Sequence, residues 1–158
     1  MLSGIAHSAV CVPDVERAVA WYESVLGLKV LSPPYLMDGA SLAEDMGELV
    51  ADPTMRAAIV GLDGGGDRVL EVIEYPRVPG RPAPDPPVLT DHGWTHVGLL
   101  CDDIDETRAE LEQRGVRFLT RGIARVAGLG TTWFVDPNGV VFILMQKGDP
   151  DRPYYRQF

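Results

Sequence analysis

Two histidines and one glutamate in this sequence have the types and positions expected of metal ligands. His7 and His96 each lie in an apolar run typical of a β-strand, and each is followed seven residues later by an aspartate. Glu71 lies within a third apolar run, at residues 69–73. Two imidazoles and a carboxylate suit Fe, Mn, Ni, Co or Zn and leave positions open for water or substrate. The pattern predicts a divalent-metal site formed by His7, Glu71 and His96.

Burial of the carboxylate is the costly part of this prediction. A carboxylate in an apolar strand needs a cation, hydrogen bonds or an outward orientation. Glu71 and Glu74 have opposite pleat parity, so we expect one of them to face outward. Glu71 shares parity with Ile73 and Tyr75, which favours the inward position, although Val72 on the other face leaves the assignment open. The competing interpretation of each histidine is a hydrogen-bonded structural residue.

The histidines begin two similar halves of the chain. The first half predicts a strand over residues 5–12, and then a helix that ends at Gly27. The second half repeats this order with a strand over residues 94–101 and a helix that ends at Gly115. Three further strand signals follow each helix, so each half reads β-α-β-β-β. A repeat as long as the distance in sequence from His7 to His96 indicates a duplicated half-domain with an approximate twofold axis.

We therefore expect an α+β fold, in which two tandem βαβββ modules form an open eight-stranded mixed sheet around a central cavity. A length of 158 residues fits one domain. The expected segments are a first module over 5–75 with a helical insert at 32–53, a Pro-rich linker at 76–93, a second module over 94–146, and a C-terminal tail at 147–158. The last two strands of each module are joined by predicted turns at 63–67 and 136–139.

Composition excludes several classes of partner. The net charge of −9 argues against a surface that binds nucleic acid through a Lys/Arg patch. Cys11 and Cys101 lie in apolar runs, which favours buried thiols over a disulfide framework. The sequence has no signal-peptide pattern and no apolar run long enough to span a bilayer. We expect a cytoplasmic protein with no membrane partner.

Taken together, these motifs resemble the vicinal oxygen chelate superfamily, which includes glyoxalase I, bleomycin-resistance proteins and extradiol dioxygenases. The resemblance spans residues 5 to 146. It rests on five segments: His7 with Pro13-Asp14, Trp21-Tyr22-Glu23-Ser24-Val25-Leu26-Gly27-Leu28, Leu70-Glu71-Val72-Ile73-Glu74-Tyr75, Thr95-His96-Val97 with Asp102-Asp103-Ile104-Asp105, and Asp136-Pro137-Asn138-Gly139.

The resemblance implies roles for individual residues. The first three metal-ligand positions of the family fall on His7, Glu71 and His96, and the fourth falls on Ile143. In glyoxalase- and epimerase-like members the fourth position is a glutamate that binds metal and moves a proton, so Ile143 disfavours glyoxalase I chemistry. In extradiol dioxygenase-like members two histidines and one glutamate suffice. The twofold relation makes the surviving trio equivalent to that set.

Three more residues are candidates for the pocket, beside Ile143. His92 could act as an acid or base, although a residue in front of a strand is more often simply exposed. Arg56 could bind an anionic substrate with two hydrogen bonds, although a strand arginine more often faces water. Trp133 could stack on a planar ligand, although a core aromatic residue is the commoner explanation.

The sequence thus favours a divalent-metal-dependent enzyme, either a dioxygenase or a lyase or isomerase, that acts on a small oxygen-chelating substrate. The alternative is a metal-free protein that binds a small molecule, as bleomycin-resistance-like members do. A regulatory or carrier subunit that uses the same cavity is a third possibility. The resemblance also implies a homodimer.

Overall fold

The computed structural model describes residues 4–62 and 68–157. The predicted turn at 63–67 and the aromatic residue Phe158 of the tail lie outside the described residues. The chain divides into two compact units, Met1–Arg81 and Pro82–Phe158. No helix among the described residues is long and apolar enough to cross a membrane.

The first unit has one four-stranded sheet, which we call the first sheet, with the strand order β1-β4-β3-β2. β1 runs parallel to β4, and the other neighbours are antiparallel. Its elements are β1 (His7–Cys11), α1 (Val15–Ser24), β2 (Lys29–Met37), α2 (Ala40–Met46), β3 (Met55–Gly61) and β4 (Val69–Glu74).

Helix α1 begins where the sequence predicts it and packs on the first sheet. The Asp14 side chain accepts a hydrogen bond from the Arg17 backbone N–H at 2.9 Å, which satisfies a donor that the first turn would otherwise leave unpaired. Gly27 ends the segment with a φ of 70°, a conformation that favours glycine. Val15 and Tyr22 are fully buried. The apolar stripe of α1 therefore supplies one side of this unit's core.

The second unit has a five-stranded sheet, the second sheet, with the order β5-β9-β8-β6 and β7 paired to β8. β5 is parallel to β9, as β1 is to β4. Its elements are β5 (Val97–Leu100), α3 (Ile104–Gln113), β6 (Arg117–Phe118), β7 (Ala124–Val126), β8 (Leu129–Val135), β9 (Val141–Lys147) and a 3₁₀ turn at Tyr154–Arg156.

The core of the second unit repeats the logic of the first. Asp103 caps α3 by accepting from the Glu106 N–H at 2.9 Å. Phe134 and Phe142 are fully buried and stack with ring centroids 5.0 Å apart. In the turn between β8 and β9, the buried Asp136 carboxylate accepts the backbone N–H of Val140 at 2.7 Å. The turn predicted at 136–139 is thus held by a side chain.

The α+β class and the tandem βαβββ modules are confirmed. The described residues contain nine strands, one more than expected, because β7 forms a tight hairpin with β8. Ala127 and Gly128 both have positive φ, 50° and 72°, which is the geometry of a two-residue turn that matches strand twist. Alanine rarely adopts that conformation, so the residue types at 127–128 do not predict this hairpin.

Candidate metal and ligand site

Strand alternation sorts the side chains of the first sheet onto two faces. The register pairs Val10 with Val72 and Ala9 with Glu71, so these pairs lie on opposite faces. Val72 lies on the face covered by α1, which we call the helix face. Glu71 lies on the other, which we call the histidine face because His7 has the same parity as Ala9.

His7 and Glu71 meet on this histidine face. His7 Nε2 lies 3.2 Å from Glu71 Oε2, although the residues come from opposite ends of the first unit. The Glu71 side chain is 16% exposed and that of His7 is 49% exposed. A largely buried carboxylate requires a compensating partner, and the imidazole is within reach to supply it.

Cys11 and Tyr75 belong to the same surroundings. Burial raises the pKa of the Cys11 thiol. The pKa of Tyr75 is raised by burial first, and then by the negative charges of Cys11 and Glu71. Cys11 has the same pleat parity as His7 and Ala9, so it lies on the histidine face together with Glu71.

Glu74 and Arg56 lie on the helix face of the first sheet. Glu74 Oε2 accepts a hydrogen bond from the Val15 N–H at 3.0 Å, at the start of α1. Arg56 binds Glu16 through both terminal nitrogens, at 2.8 Å from Nη1, and lies 3.8 Å from Glu74. The structure therefore places the Arg56 guanidinium among carboxylates on the face opposite His7 and Glu71.

The same corner contains an acidic group. Ligand oxygens of Asp14, Glu16 and Glu74 lie within 4.8 Å of one another, the single such group of three among the described residues. Arg56 contributes a positive charge to this group, and the Val15 and Arg17 N–H groups donate to two of its members. Its carboxylates thus have protein partners.

His96 and Trp133 meet in the second unit. The ring centroids lie 4.8 Å apart with an interplanar angle of 75°, an edge-to-face contact. Thr95 Oγ1 lies 2.8 Å from His96 Nδ1. If the hydroxyl accepts from Nδ1–H, the lone pair of Nε2 is available to a ligand, which is the usual arrangement of metal-binding histidines.

Ile143 lies beside Trp133 on β9. The register pairs it with Trp133 on one side and with Gly98 on the other, so all three share the face opposite α3, the histidine face of the second sheet. Met145 lies on this face as well, with its methyl carbon 3.0 Å from the position that a Gly98 Cβ would take. This surface is apolar and aromatic beside the imidazole.

Met145 and Thr95 were not among the predicted site residues, because an apolar or hydroxyl side chain carries no chemical signature in a single sequence.

The structure thus groups the predicted residues by unit. His7 and Glu71 meet in the first, whereas His96, Trp133 and Ile143 share a face in the second. His92 is exposed in the segment before β5, and its role as an acid or base stays a prediction. A separate cavity of about 430 Å³ lies in the second unit, lined by Arg125, Gly130, Gln146 and Lys147 among others. It contains none of the predicted site residues.

A family comparison decides the affiliation of the chain. The family model described as the Glyoxalase/Bleomycin resistance protein/Dioxygenase superfamily matches residues 4–144. The chain belongs to this superfamily. The resemblance stated from the sequence is therefore confirmed, and membership supports a glyoxalase-like, dioxygenase-like or ligand-binding role. Members of the superfamily commonly bind divalent metals and small molecules.

Several solved structures resemble this chain in fold. A glyoxalase family protein from Bacillus cereus has a TM-score of 0.77 at 15% identity, over 92% of this chain and 95% of that chain. The glyoxalase I of Leishmania major has a TM-score of 0.62 at 20% identity, over 92% and 88%. An antibiotic-binding protein from Streptomyces sp. CB03234 has a TM-score of 0.58 at 25% identity, over 92% and 97%. A search of curated proteins found no significant match.

Proposed function

We propose that this protein is a divalent-metal-dependent superfamily enzyme that acts on a small oxygen-chelating molecule, with His7, Glu71 and His96 as the metal ligands. The observation that carries the proposal is the distance of 3.2 Å between His7 Nε2 and Glu71 Oε2. Two ligand atoms that are each about 2.0–2.2 Å from one ion lie roughly 3.0–3.5 Å apart. The donor pair therefore fits a shared cation as well as it fits a direct ion pair.

The repeat supports His96 as the third ligand. His96 precedes β5 in the second unit at the position that His7 holds at the start of β1. Its Nδ1 faces the Thr95 hydroxyl, a contact that fixes the ring and favours Nε2 as the donor atom. When bound, the metal would supply Lewis-acid polarisation of substrate oxygens.

The remaining residues divide the other tasks. Trp133 offers a ring on which a planar substrate stacks, while Ile143 and Met145 form an apolar wall beside it. Ile143 has no proton to give or take, so a proton transfer needs another group, and exposed His92 is our candidate. Reaction type stays open between oxygenation, lyase or isomerase chemistry, and transfer.

The test is the metal content of protein purified without chelator and then supplied with Mn, Fe, Co, Ni or Zn. We expect about one equivalent of metal per chain in the wild type, because three protein ligands form one metal site. His7→Ala, Glu71→Gln and His96→Ala should each lose it. Glu74→Gln is the matched control, because Glu74 lies on the same strand but faces α1, and the amide still accepts from Val15 N–H. If the wild type binds none of these metals, or the three variants retain the metal, the proposal is wrong.

A second candidate is metal-free binding of an aromatic small molecule such as an antibiotic. The aromatic and apolar character of the surface at Trp133, Ile143 and Met145 favours it, and so does the 25% identity to the Streptomyces antibiotic-binding protein. Titration of the chelator-treated protein with planar aromatic compounds separates the two candidates. Tight binding that survives chelation and the Glu71→Gln change supports the binder.

A further inference from the structure

Arg108 lies behind Trp133, on the helix face of the second sheet. Its side chain extends from α3 and is 11% exposed. The guanidinium donates to the Thr120 carbonyl at 2.9 Å and to the Thr132 hydroxyl. The guanidinium carbon Cζ of Arg108 also lies 4.3 Å from the centre of the Phe118 ring. Glu112 Oε1 lies 2.9 Å from Arg108 Nε and supplies the opposite charge. A charge so largely removed from water needs such partners, and together they fix the guanidinium in one geometry.

The same network holds the backbone of Trp133. The Trp133 N–H donates to Thr120 Oγ1 at 3.2 Å, and the Trp133 carbonyl accepts from the Leu119 N–H at 2.7 Å. Thr120 Oγ1 also lies 3.0 Å from Thr132 Oγ1. Regular pairing of β6 with β8 ends at Phe118. Beyond that point a side-chain hydroxyl takes the place of a ladder hydrogen bond.

The consequence appears on the opposite face of the sheet. Thr132 and Trp133 are consecutive in β8, so their side chains point to opposite faces. A network that fixes Thr132 and the Trp133 backbone from the helix face therefore also fixes the direction of the Trp133 ring, which contacts His96 at 4.8 Å.

The first unit builds the same layer without this network. Since Asp14 and Asp103 both cap their helices, Val19 is the counterpart of Arg108. Since Ile59 pairs with Glu71 as Trp133 pairs with Ile143, Ala58 is the counterpart of Thr132. Val19 and Ala58 are buried apolar residues. Apolar packing thus suffices for the fold, and the costlier polar network occurs in the unit that carries Trp133.

We propose that Arg108 and Thr120 are positioning residues that hold Trp133 against His96 and thereby tune ligand binding at this face. The role in binding rests on the proposed function, in which His96 and Trp133 contact metal and substrate. The role in orienting Trp133 stands on the hydrogen bonds of the second unit alone.

The experiment uses the full chain with Trp21→Phe and Trp94→Phe, so that Trp133 is the sole tryptophan, and it excites at the red edge of the absorption band, where tyrosine does not absorb. Acrylamide quenching and anisotropy decay then report the exposure and mobility of Trp133. Arg108→Met and Thr120→Val remove the network, whereas Thr120→Ser keeps the hydroxyl. Glu110→Gln is the control for stability, because it weakens the contact of Glu110 with Arg114 at 3.3 Å on the same helix and leaves Arg108 and the threonines untouched.

We expect Arg108→Met and Thr120→Val to increase both the quenching and the mobility of Trp133. They should also weaken the binding of Co²⁺, or of an aromatic ligand in the metal-free case, by about tenfold, as loss of a supporting hydrogen bond typically does. Thr120→Ser and Glu110→Gln should leave the fluorescence of Trp133 unchanged. A fall in melting temperature with unaltered Trp133 fluorescence would overturn the proposal. If the parent binds neither probe, the proposed function fails, and the fluorescence still decides the positioning role.

Discussion

Glu71 and Ile143 occupy equivalent places in the two sheets. Glu71 pairs with Ala9, two residues after His7, and Ile143 pairs with Gly98, two residues after His96. One unit therefore presents a carboxylate where the other presents a branched alkyl side chain. This difference distinguishes the chain from a fully symmetric arrangement of four ligands.

Ile143→Glu should add a carboxylate as a fourth ligand and raise the affinity for Zn²⁺ or Co²⁺ by about tenfold or more, in the range that a single metal-site interaction contributes. Chelator competition measures the change. In the metal-free protein the same substitution should lower stability, because it replaces an apolar side chain beside Trp133 and Met145 with a half-buried carboxylate that loses water on folding. Ile143→Leu is the control for packing. Equal metal affinities for Ile143→Glu and Ile143→Leu would contradict the three-ligand site.

In each unit an arginine lies beside acidic residues at the start of a helix, but the two arginines come from different strands. Arg56 of β3 binds Glu16 and Glu74 at the start of α1. At the start of α3, Arg125 Nη2 lies 3.2 Å from Asp105 and Nη1 lies 3.4 Å from Gln146, although Arg125 comes from β7. Gly130 lies where β3 has Arg56, and a Cβ there would overlap Arg125 Nη1.

We predict that Arg56→Met lowers the free energy of unfolding by about 1 kcal/mol and Arg125→Met by about 0.5 kcal/mol or less. The Arg56 side chain is 32% exposed and that of Arg125 is 61% exposed, so water screens the second contact more. Urea denaturation measures both values, and high salt should shrink them. A larger loss for Arg125→Met would show that exposure is the wrong guide here.

Capping provides a third prediction. Asp14→Ala and Asp103→Ala each remove a cap and should cost about 1 kcal/mol. The cost should be smaller for Asp14, because its carboxylate lies within 4.8 Å of Glu16 and Glu74 and its removal relieves repulsion. Asn substitutions, which keep the acceptor oxygen, serve as controls. Chemical denaturation of the four variants should give this order, and a greater loss for Asp14→Ala would refute the repulsion argument.

Partial burial shifts the pH range in which the two cysteine thiols react. Burial raises the pKa of both Cys11 and Cys101. Because the thiolate is the reactive form, a raised pKa leaves a smaller thiolate fraction at neutral pH than in an unstructured cysteine, and the rate increases as pH approaches the raised value. Cys101 Sγ also donates to the Met145 carbonyl at 3.6 Å. Cys11 as a whole residue is exposed, contrary to the buried thiol that the sequence predicts, although neighbouring atoms partly desolvate its sulfur, and Cys101 is half-buried. We expect alkylation to be slow at neutral pH, faster in alkali, and faster at Cys11. Mass spectrometry of Cys11→Ser and Cys101→Ser assigns each rate.

Local patterns in the sequence determined the elements and the repeat. The caps at Asp14 and Asp103, the glycine stops and the turn at 136–139 depend on residues close together in the chain, so spacing alone predicts them. Pleat parity likewise separated Glu71 from Glu74, and the structure places them on opposite faces of the first sheet. The assignment of His7, Glu71 and His96 to one metal ion stays a prediction.

Only the tertiary structure decided which partners the polar side chains take. Pleat parity does not show whether Arg56 binds a substrate or Glu16, because the answer depends on where α1 packs. Arg125 contacts Asp105 because β7 turns back into β8 at Ala127 and Gly128. The hydrophobic periodicity of the sequence does not predict this turn. Arg108 of α3 binds Thr120 and Thr132 through contacts between separate elements. Such contacts depend on the packing of whole elements, whereas a single sequence reports the preferences of each element alone.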